Sequence, residues 1–117
     1  MGRYPLKNRV SAKTADYTVS ASESGKTFTN EGAAGTITFS LPPATKGLVF
    51  KFAVEAAQQL RIDANGTETI SLPSSGVPGG GGKYLVADAV GETVALECAK
   101  DGSWQVMGYT GTWTAEP

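Results

Sequence analysis

The sequence GTITFSLPPATKGLVFKFAV, residues 35–54, predicts two β-strands, one on each side of a diproline. Apolar and polar residues alternate in both halves. Because successive side chains of a strand point to opposite faces, this period of two indicates half-buried strands. Pro42 and Pro43 lack backbone N–H groups and end the first strand, and Gly47 allows the chain to turn into the second. Seven large apolar side chains are expected to face one core: Ile37, Phe39, Leu41, Leu48, Phe50, Phe52 and Val54.

The rest of the chain repeats this pattern in short segments. Alternating stretches are separated about every 8–12 residues by turns rich in Gly, Pro and Asn, which is typical of a sandwich or barrel. We predict an all-β fold, an antiparallel β-sandwich or jelly-roll-like barrel of about 8–10 short strands. An extended N-terminal arm is expected over residues 1–14 and a single β domain over residues 15–117. Asn65-Gly66 predicts a tight hairpin, because a type I′ turn requires positive φ at both central residues.

The charge is unevenly distributed along the chain. The net charge is −1, yet no acidic residue occurs among the first 15 positions. The remainder carries a net charge of −5 once the basic residues of this segment are set aside. A basic segment that also contains apolar side chains is typical of an arm that lies on a neighbour's surface; a merely solvated N-terminus is the alternative. Four of the ten basic residues belong to this segment: Arg3, Lys7, Arg9 and Lys13.

Two classes of partner are not expected. The acidic body would repel phosphate groups, and the basic residues are not interleaved with stacking aromatic residues, so we expect no nucleic-acid partner. No apolar run approaches the roughly 18–20 residues that span a bilayer. The N-terminus also lacks the apolar segment of a signal peptide, so we expect no membrane partner.

The residue types that carry enzymatic chemistry are scarce. The chain has no histidine and one cysteine, Cys98, whose alternation with Val94 and Leu96 predicts a buried, inert thiol. The sequence GVPGGGGK, residues 76–83, resembles a phosphate-binding loop only superficially: Val77 stands where the first glycine belongs, and Tyr84 replaces the Ser or Thr that follows the lysine. We therefore expect no enzyme activity, no cofactor and no metal site.

The two tryptophans are expected to differ in role. Trp104 alternates with Val106 and is predicted to lie in the core, whereas Trp113 lies among threonines near the C-terminus and is predicted to be partly exposed. Residues 73–83 are expected to form a long flexible loop, which a neighbour could order.

Three segments together resemble small virion proteins of tailed bacteriophages and prophages. They are ADYTVSASESGKTFTNEGAAGTITFSLP (residues 15–42), GLVFKFAV (47–54) and WQVMGYTGTWT (104–114). The similarity covers roughly residues 14–114 and consists of strand and turn motifs, so it implies a fold more strongly than a function. Such modules occur in head decoration (cement) proteins and in pieces of tail fibres and spikes.

The resemblance implies a capsid decoration protein, a viral structural protein that stabilises the assembled head. We favour this over a tail fibre or spike module that binds host-surface glycan, because the chain looks like a free-standing domain with a basic arm. The implied partner is the major capsid protein, the implied state a homotrimer, and the implied location the outer surface of the head, after synthesis in the bacterial cytoplasm. The capsid-binding arm would comprise Arg3, Tyr4, Pro5, Leu6, Lys7, Arg9 and Val10. Candidate oligomer or partner contacts are Tyr109, Trp113, Gly79, Gly80 and Gly81.

Overall fold

The computed structural model describes residues 9–73 and 75–117, which form eleven β-strands and a single 3₁₀ turn, Ala21–Glu23. The strands are β1 (Val10–Ala12), β2 (Tyr17–Thr18), β3 (Thr27–Thr29), β4 (Ile37–Ser40), β5 (Val49–Ala53), β6 (Leu60–Asp63), β7 (Thr69–Ile70), β8 (Tyr84–Ala87), β9 (Thr93–Lys100), β10 (Ser103–Thr110) and β11 (Thr114–Ala115). They build two sheets that enclose one core, so the predicted all-β sandwich is confirmed.

The first strands of the chain alternate between the two sheets. The larger sheet has the strand order β1-β3-β5-β9-β10-β7, and the smaller sheet has the order β11-β8-β6-β4-β2. From β1 to β6, therefore, odd-numbered strands enter the larger sheet and even-numbered strands the smaller one.

This alternation makes the sheets mixed rather than purely antiparallel. β1, β3 and β5 run parallel, as do β2, β4 and β6, whereas β9 runs antiparallel to both β5 and β10. Parallel neighbours require the chain to return to the same end between them. Here a strand of the opposite sheet makes that return, so no connecting helix is needed. The alternation of side chains predicts strands but carries no information about their direction.

The two predicted central strands are β4 and β5, and their inward residues form the middle of the core. Six of the seven predicted core residues are buried, and Leu48 packs against them while partly exposed. Phe28 of β3 and Phe52 of β5 stack with ring centroids 5.8 Å apart, and Phe39 of β4 reaches across from the smaller sheet to within 5.3 Å of Phe52. Such aromatic pairs add about 0.5–1.5 kcal/mol each beyond the area they bury.

The diproline lies at a crossing between the sheets. β4 ends at Ser40, Pro42 is buried, and β5 begins in the other sheet at Val49. Gly47 has φ 99° and donates its N–H to the carbonyl of Cys98 at 2.8 Å. The predicted roles of the prolines and of Gly47 are thus confirmed, because the chain must stop pairing in one sheet before it can join the other.

The predicted hairpin at Asn65-Gly66 is wrong. Gly66 has φ 55°, but no described residue other than glycine has a positive φ, so Asn65 does not form a type I′ turn. β6 and β7 lie in different sheets. Both edges of β6 are already paired, with β4 and β8, so the following segment cannot return beside it. It crosses instead to the larger sheet, where Ile70 is buried and lies opposite Trp104.

Only residues 9–14 of the predicted N-terminal arm lie in the described structure. Val10–Ala12 forms β1, an edge strand of the larger sheet. The carbonyl of Arg9 accepts a hydrogen bond from the N–H of Thr27 at 2.8 Å, and the N–H of Lys13 donates to the carbonyl of Thr29 at 2.9 Å. This part of the predicted arm is therefore joined to the β body. The remaining arm residues, 1–8, lie outside the described residues.

A buried asparagine holds the connection after β5. Asn30 is fully buried, and its side-chain oxygen accepts hydrogen bonds from the N–H groups of Glu55 at 2.7 Å and Ala56 at 3.0 Å. Its amide nitrogen donates to the carbonyls of Ala56 at 3.2 Å and Gln58 at 3.3 Å. The irregular segment between β5 and β6 thus has its backbone groups satisfied by one side chain, as buried polar groups require.

Replacing this asparagine should destabilise the fold markedly. Asn30→Ala removes all four hydrogen bonds and leaves backbone groups without partners, so we expect a loss of about 2–4 kcal/mol in the free energy of unfolding. Urea denaturation measures this loss. The matched control is Asn65→Ala, an exposed turn residue with no side-chain hydrogen bond among the described residues, which should change stability by less than about 0.5 kcal/mol. Equal effects of the two changes would contradict the role assigned to Asn30.

Candidate interaction surface

The described end of the predicted arm lies at an open edge of the larger sheet. Val10 is 63% exposed, and the Arg9 guanidinium donates to the carbonyl of Ser24 at 2.7 Å. The positively charged side chain of Arg9 therefore lies at the surface, next to the start of β1. The other predicted arm residues lie outside the described residues: Arg3, Tyr4, Pro5, Leu6 and Lys7.

A row of aligned residues runs from this edge across the outer face of the larger sheet. Strand pairing places Val10 opposite Thr27, Thr27 opposite Lys51, Lys51 opposite Ala95, and Ala95 opposite Gly108. Directly opposite residues of neighbouring strands share one face. Because most of these side chains are small, they leave a shallow depression of about 290 Å³, and Lys51 is the only charged residue among the described residues that line it. This volume is at the lower limit of small-molecule sites, so the face is better suited to a flat contact.

The far end of this row is the second half of β10, where two large apolar side chains are exposed. Tyr109 is 44% exposed but lies opposite the buried Val94, on the other face from this row, and Met107 is 61% exposed. The strand register shifts between Val106 and Gly108, and such a bulge redirects a side chain. Met107 was not among the predicted contacts, although the inward alternation of Trp104 and Val106 already suggests that it points away from the core.

The outer face of the smaller sheet is more polar. Arg61 lies over the ring of Tyr84 at 4.5 Å, and its guanidinium donates to the side-chain oxygen of Gln59 at 2.8 and 3.0 Å. Asp63 lies opposite Tyr84, and burial together with the nearby Glu116 raises the pKa of Asp63. These charged and hydrogen-bonded groups are better suited to contact with water than with a protein partner. The outer face of the larger sheet is therefore the better candidate for a docking surface.

Trp113 is buried, at 6% exposure, and the prediction that it would be partly exposed is wrong. Its indole N–H donates to the carbonyls of Thr93 at 2.9 Å and Thr110 at 3.2 Å. The neighbouring Thr112 N–H donates to the Glu92 carboxylate at 2.7 Å, and this bond contributes most to lowering the pKa of Glu92. Trp113 thus holds the chain in place where it leaves the larger sheet for β11. Its threonine neighbours in the sequence gave no indication of this buried role.

The predictions for the other two core residues of this region are confirmed. Cys98 is fully buried, and burial raises the pKa of its thiol, which makes it a poor nucleophile. Trp104 is fully buried with its ring centroid 5.8 Å from that of Phe50.

The candidate contact glycines 79–81 contact the chain itself. The N–H of Gly79 donates to the carbonyl of Ile70 at 2.9 Å, and that of Gly82 to the carbonyl of Glu68 at 3.0 Å. A Cβ added to Gly81 would lie 2.8 Å from the carbonyl oxygen of Thr67, closer than such atoms can approach. Glycine at this position therefore has an internal role, since it lets this segment lie against the 66–67 turn.

A methyl group at Gly81 should accordingly disturb the fold. Gly81→Ala forces two backbone segments apart, and we expect it to lower the free energy of unfolding by about 1–3 kcal/mol. The matched control is Gly35→Ala, whose added Cβ meets nothing within 4 Å. Thermal denaturation of both variants checks this. A Gly81→Ala variant as stable as the control would show that the close approach to Thr67 is unimportant.

A hydrogen-bonded carboxylate links β2, the 3₁₀ turn and β3 beside the β1 edge. Glu23 accepts hydrogen bonds from the Tyr17 hydroxyl at 2.7 Å and the Ser20 N–H at 3.0 Å, and it forms an ion pair with Lys26 at 3.2 Å. Burial raises the pKa of Glu23, but the bonds from Ser20, Tyr17 and Lys26 outweigh this and lower the pKa from 4.5 to about 2. The same bond from Tyr17 to Glu23 raises the pKa of Tyr17.

This carboxylate should make stability depend on pH in a defined window. Because folding favours the ionised form, the contribution of Glu23 is complete above about pH 4.5 and is lost as the pH falls towards about 2. We expect Glu23→Gln to be less stable than the parent protein at neutral pH and the difference to shrink over this window. Denaturant unfolding from pH 7 to pH 2 measures the difference. If it stayed constant with pH, the carboxylate would not be the group responsible.

Among the described residues, no helix is long and apolar enough to cross a membrane. Within residues 9–73 and 75–117, no three His, Cys, Asp or Glu side chains come close enough together to hold a metal ion.

No model of a known protein family and no curated protein matches the chain. Function must therefore be inferred from the sequence motifs and from the surface described above.

Proposed function

We propose that this chain is a head decoration protein of a tailed bacteriophage, which binds the outer surface of the assembled capsid and stabilises it without enzymatic chemistry. Its partner would be the major capsid protein, and it would act as a homotrimer. The strand and turn motifs within residues 15–114 support this proposal, since they resemble virion proteins of this class.

The observation that carries the proposal is where the basic segment meets the folded body. Arg9 and β1 lie at an edge of the larger sheet, and the depression on its outer face has one charged lining residue within residues 9–73 and 75–117, Lys51. The residues preceding β1 include Arg3 and Lys7 and no acid. A basic, partly apolar segment adjoining an exposed sheet face supports attachment to a large acidic surface by charge and by apolar contact.

The mechanism we propose is mechanical. A capsid filled with DNA is under outward pressure, and a rigid protein that bridges several shell subunits adds contacts that must break before the shell opens. A protein that binds only the assembled lattice stabilises that lattice by mass action. The mixed sandwich suits this task, because the four phenylalanines of its core join the two sheets into one body.

The alternative is a tail fibre or spike module that binds host-surface glycan. A glycan groove would use exposed aromatic rings, and Tyr109 is exposed whereas Trp113 is buried. Among the described residues a single ring is exposed, and it gives the glycan proposal less support than the basic segment gives the capsid proposal. A glycan array tests it directly.

Charge reversal in the basic segment should abolish capsid binding. In the full chain, Arg3→Glu with Lys7→Glu should weaken binding to assembled heads that lack this protein by at least about tenfold, because attraction becomes repulsion. Co-sedimentation with such heads measures binding.

The matched control is Lys46→Glu with Lys100→Glu, which changes the net charge equally at two exposed positions before β5 and at the end of β9. The control should bind as the parent does. Equal losses in both variants would show that only net charge matters, and an unaffected arm variant would refute the role of the arm. Failure of the parent protein to bind heads would refute the decoration function itself.

A further inference from the structure

One edge of the larger sheet is left open along half of a long strand. β10 pairs with β9 over its whole length, but β7 pairs only with Ser103 and Trp104. The N–H of Val106 is satisfied by the Ser71 hydroxyl at 2.8 Å. Beyond it, no described residue outside β9 makes a hydrogen bond to the backbone of Met107, Gly108 or Tyr109.

The opposite edge of the same sheet is open as well. β1 pairs with β3, and within the described part of the chain nothing else makes a hydrogen bond to the backbone of Val10, Ser11 or Ala12. Within the described residues, each end of this sheet thus has a three-residue stretch whose outward-pointing backbone groups have no partner and can pair with another strand.

The two most exposed large apolar side chains of the described residues lie one at each of these edges. Val10 is 63% exposed on β1, and Met107 is 61% exposed on β10. Proteins usually protect open edges with charged residues or proline, yet residues 105–110, QVMGYT, contain neither. The bulge next to Met107 turns this side chain out without covering the edge.

Strand direction allows the two edges to meet in copies related by rotation. β10 is antiparallel to β9, β9 is antiparallel to β5, and β5, β3 and β1 are parallel, so β10 and β1 run in the same direction. Rotation about an axis along the strands keeps that direction. A second copy placed in this way would set its β1 parallel to β10 of the first, and repetition of the contact gives a closed ring when the rotation divides a full turn.

The regions around the two edges carry complementary charge. Residues 1–13, which include β1, contain four basic residues and no acid. The β9–β10 region, residues 92–112, contains three acidic residues and one basic residue: Glu92, Glu97, Asp101 and Lys100. Opposite charges near the two edges favour the head-to-tail contact over pairing of two identical edges, and the attraction should weaken with salt.

We propose that copies of this chain join head to tail, with β1 of one copy adding as a parallel strand to residues Met107–Tyr109 of the next to form a closed ring. Val10 of one copy and Met107 of its neighbour are buried together at each junction. This ring gives a structural basis for the oligomer in the proposed function, but it forms in the purified protein and is tested without capsids, so either proposal can fail alone.

Lysine substitutions at the two edges test the ring in the full chain. Met107→Lys and Val10→Lys each place a charge in the junction, and each should raise the dissociation constant of the oligomer at least about tenfold. The matched controls, Val77→Lys and Val90→Lys, change side chains of similar exposure, 57% and 59%, that lie on neither edge. They should leave the oligomer unchanged. Light scattering after size exclusion over a range of protein and salt concentrations gives the mass, and circular dichroism verifies folding.

Cross-linking distinguishes head-to-tail pairing from pairing of identical edges. A Val10→Cys variant mixed with a Met107→Cys variant should form disulfide-linked pairs under mild oxidation. Each variant alone should form far fewer disulfide-linked pairs, because the native Cys98 is buried and cannot serve as the second thiol. Cross-linking of each variant with itself would overturn the head-to-tail arrangement. A parent protein that stays monomeric at all concentrations, or an oligomer unaffected by both edge lysines, would overturn the proposal altogether.

Discussion

The contact between aromatic rings of the two sheets is the interaction on which the fold depends. All four phenylalanines of the chain meet there: Phe28, Phe39, Phe50 and Phe52. Phe39 belongs to the smaller sheet and the other three to the larger one. They come from β3, β4 and β5, so each of the four crossings between β2 and β6 is flanked by a strand with a buried ring. The large apolar area that these rings remove from water outweighs the chain entropy lost in ordering such short strands.

The same alternation of strands determines where the molecule has open edges. Because consecutive strands enter different sheets, neither sheet closes on itself, and each ends in short strands. In the larger sheet one end is β1 and the other is β10, which β7 covers only in part. Open edges with exposed Val10 and Met107 are unfavourable in an isolated molecule. Their presence on both ends of one sheet agrees with a protein that works in contact with other chains.

The two outer faces divide the surface into regions of different chemistry. The smaller sheet presents Arg61 over the ring of Tyr84, with Asp63 opposite Tyr84, and suits contact with solvent. The larger sheet presents small side chains around Lys51, with the basic segment at its edge. The edges would join copies to one another and the outer face would meet the shell, while the basic segment beside β1 would contribute charge to both proposed contacts.

Local residue types determined the elements of this protein, and only the tertiary structure decided how those elements are arranged. Alternation around the diproline predicted β4, β5 and their buried residues, and alternation in later segments identified Cys98 and Trp104 as core residues. Both predictions were possible because burial on one face of a strand follows from a period of two. It did not predict that β1 to β6 alternate between sheets, because strand direction and pairing depend on which edges other strands already occupy. That competition for edges turned Asn65-Gly66 into a crossing, brought Trp113 into the interior and left Met107 on an open edge.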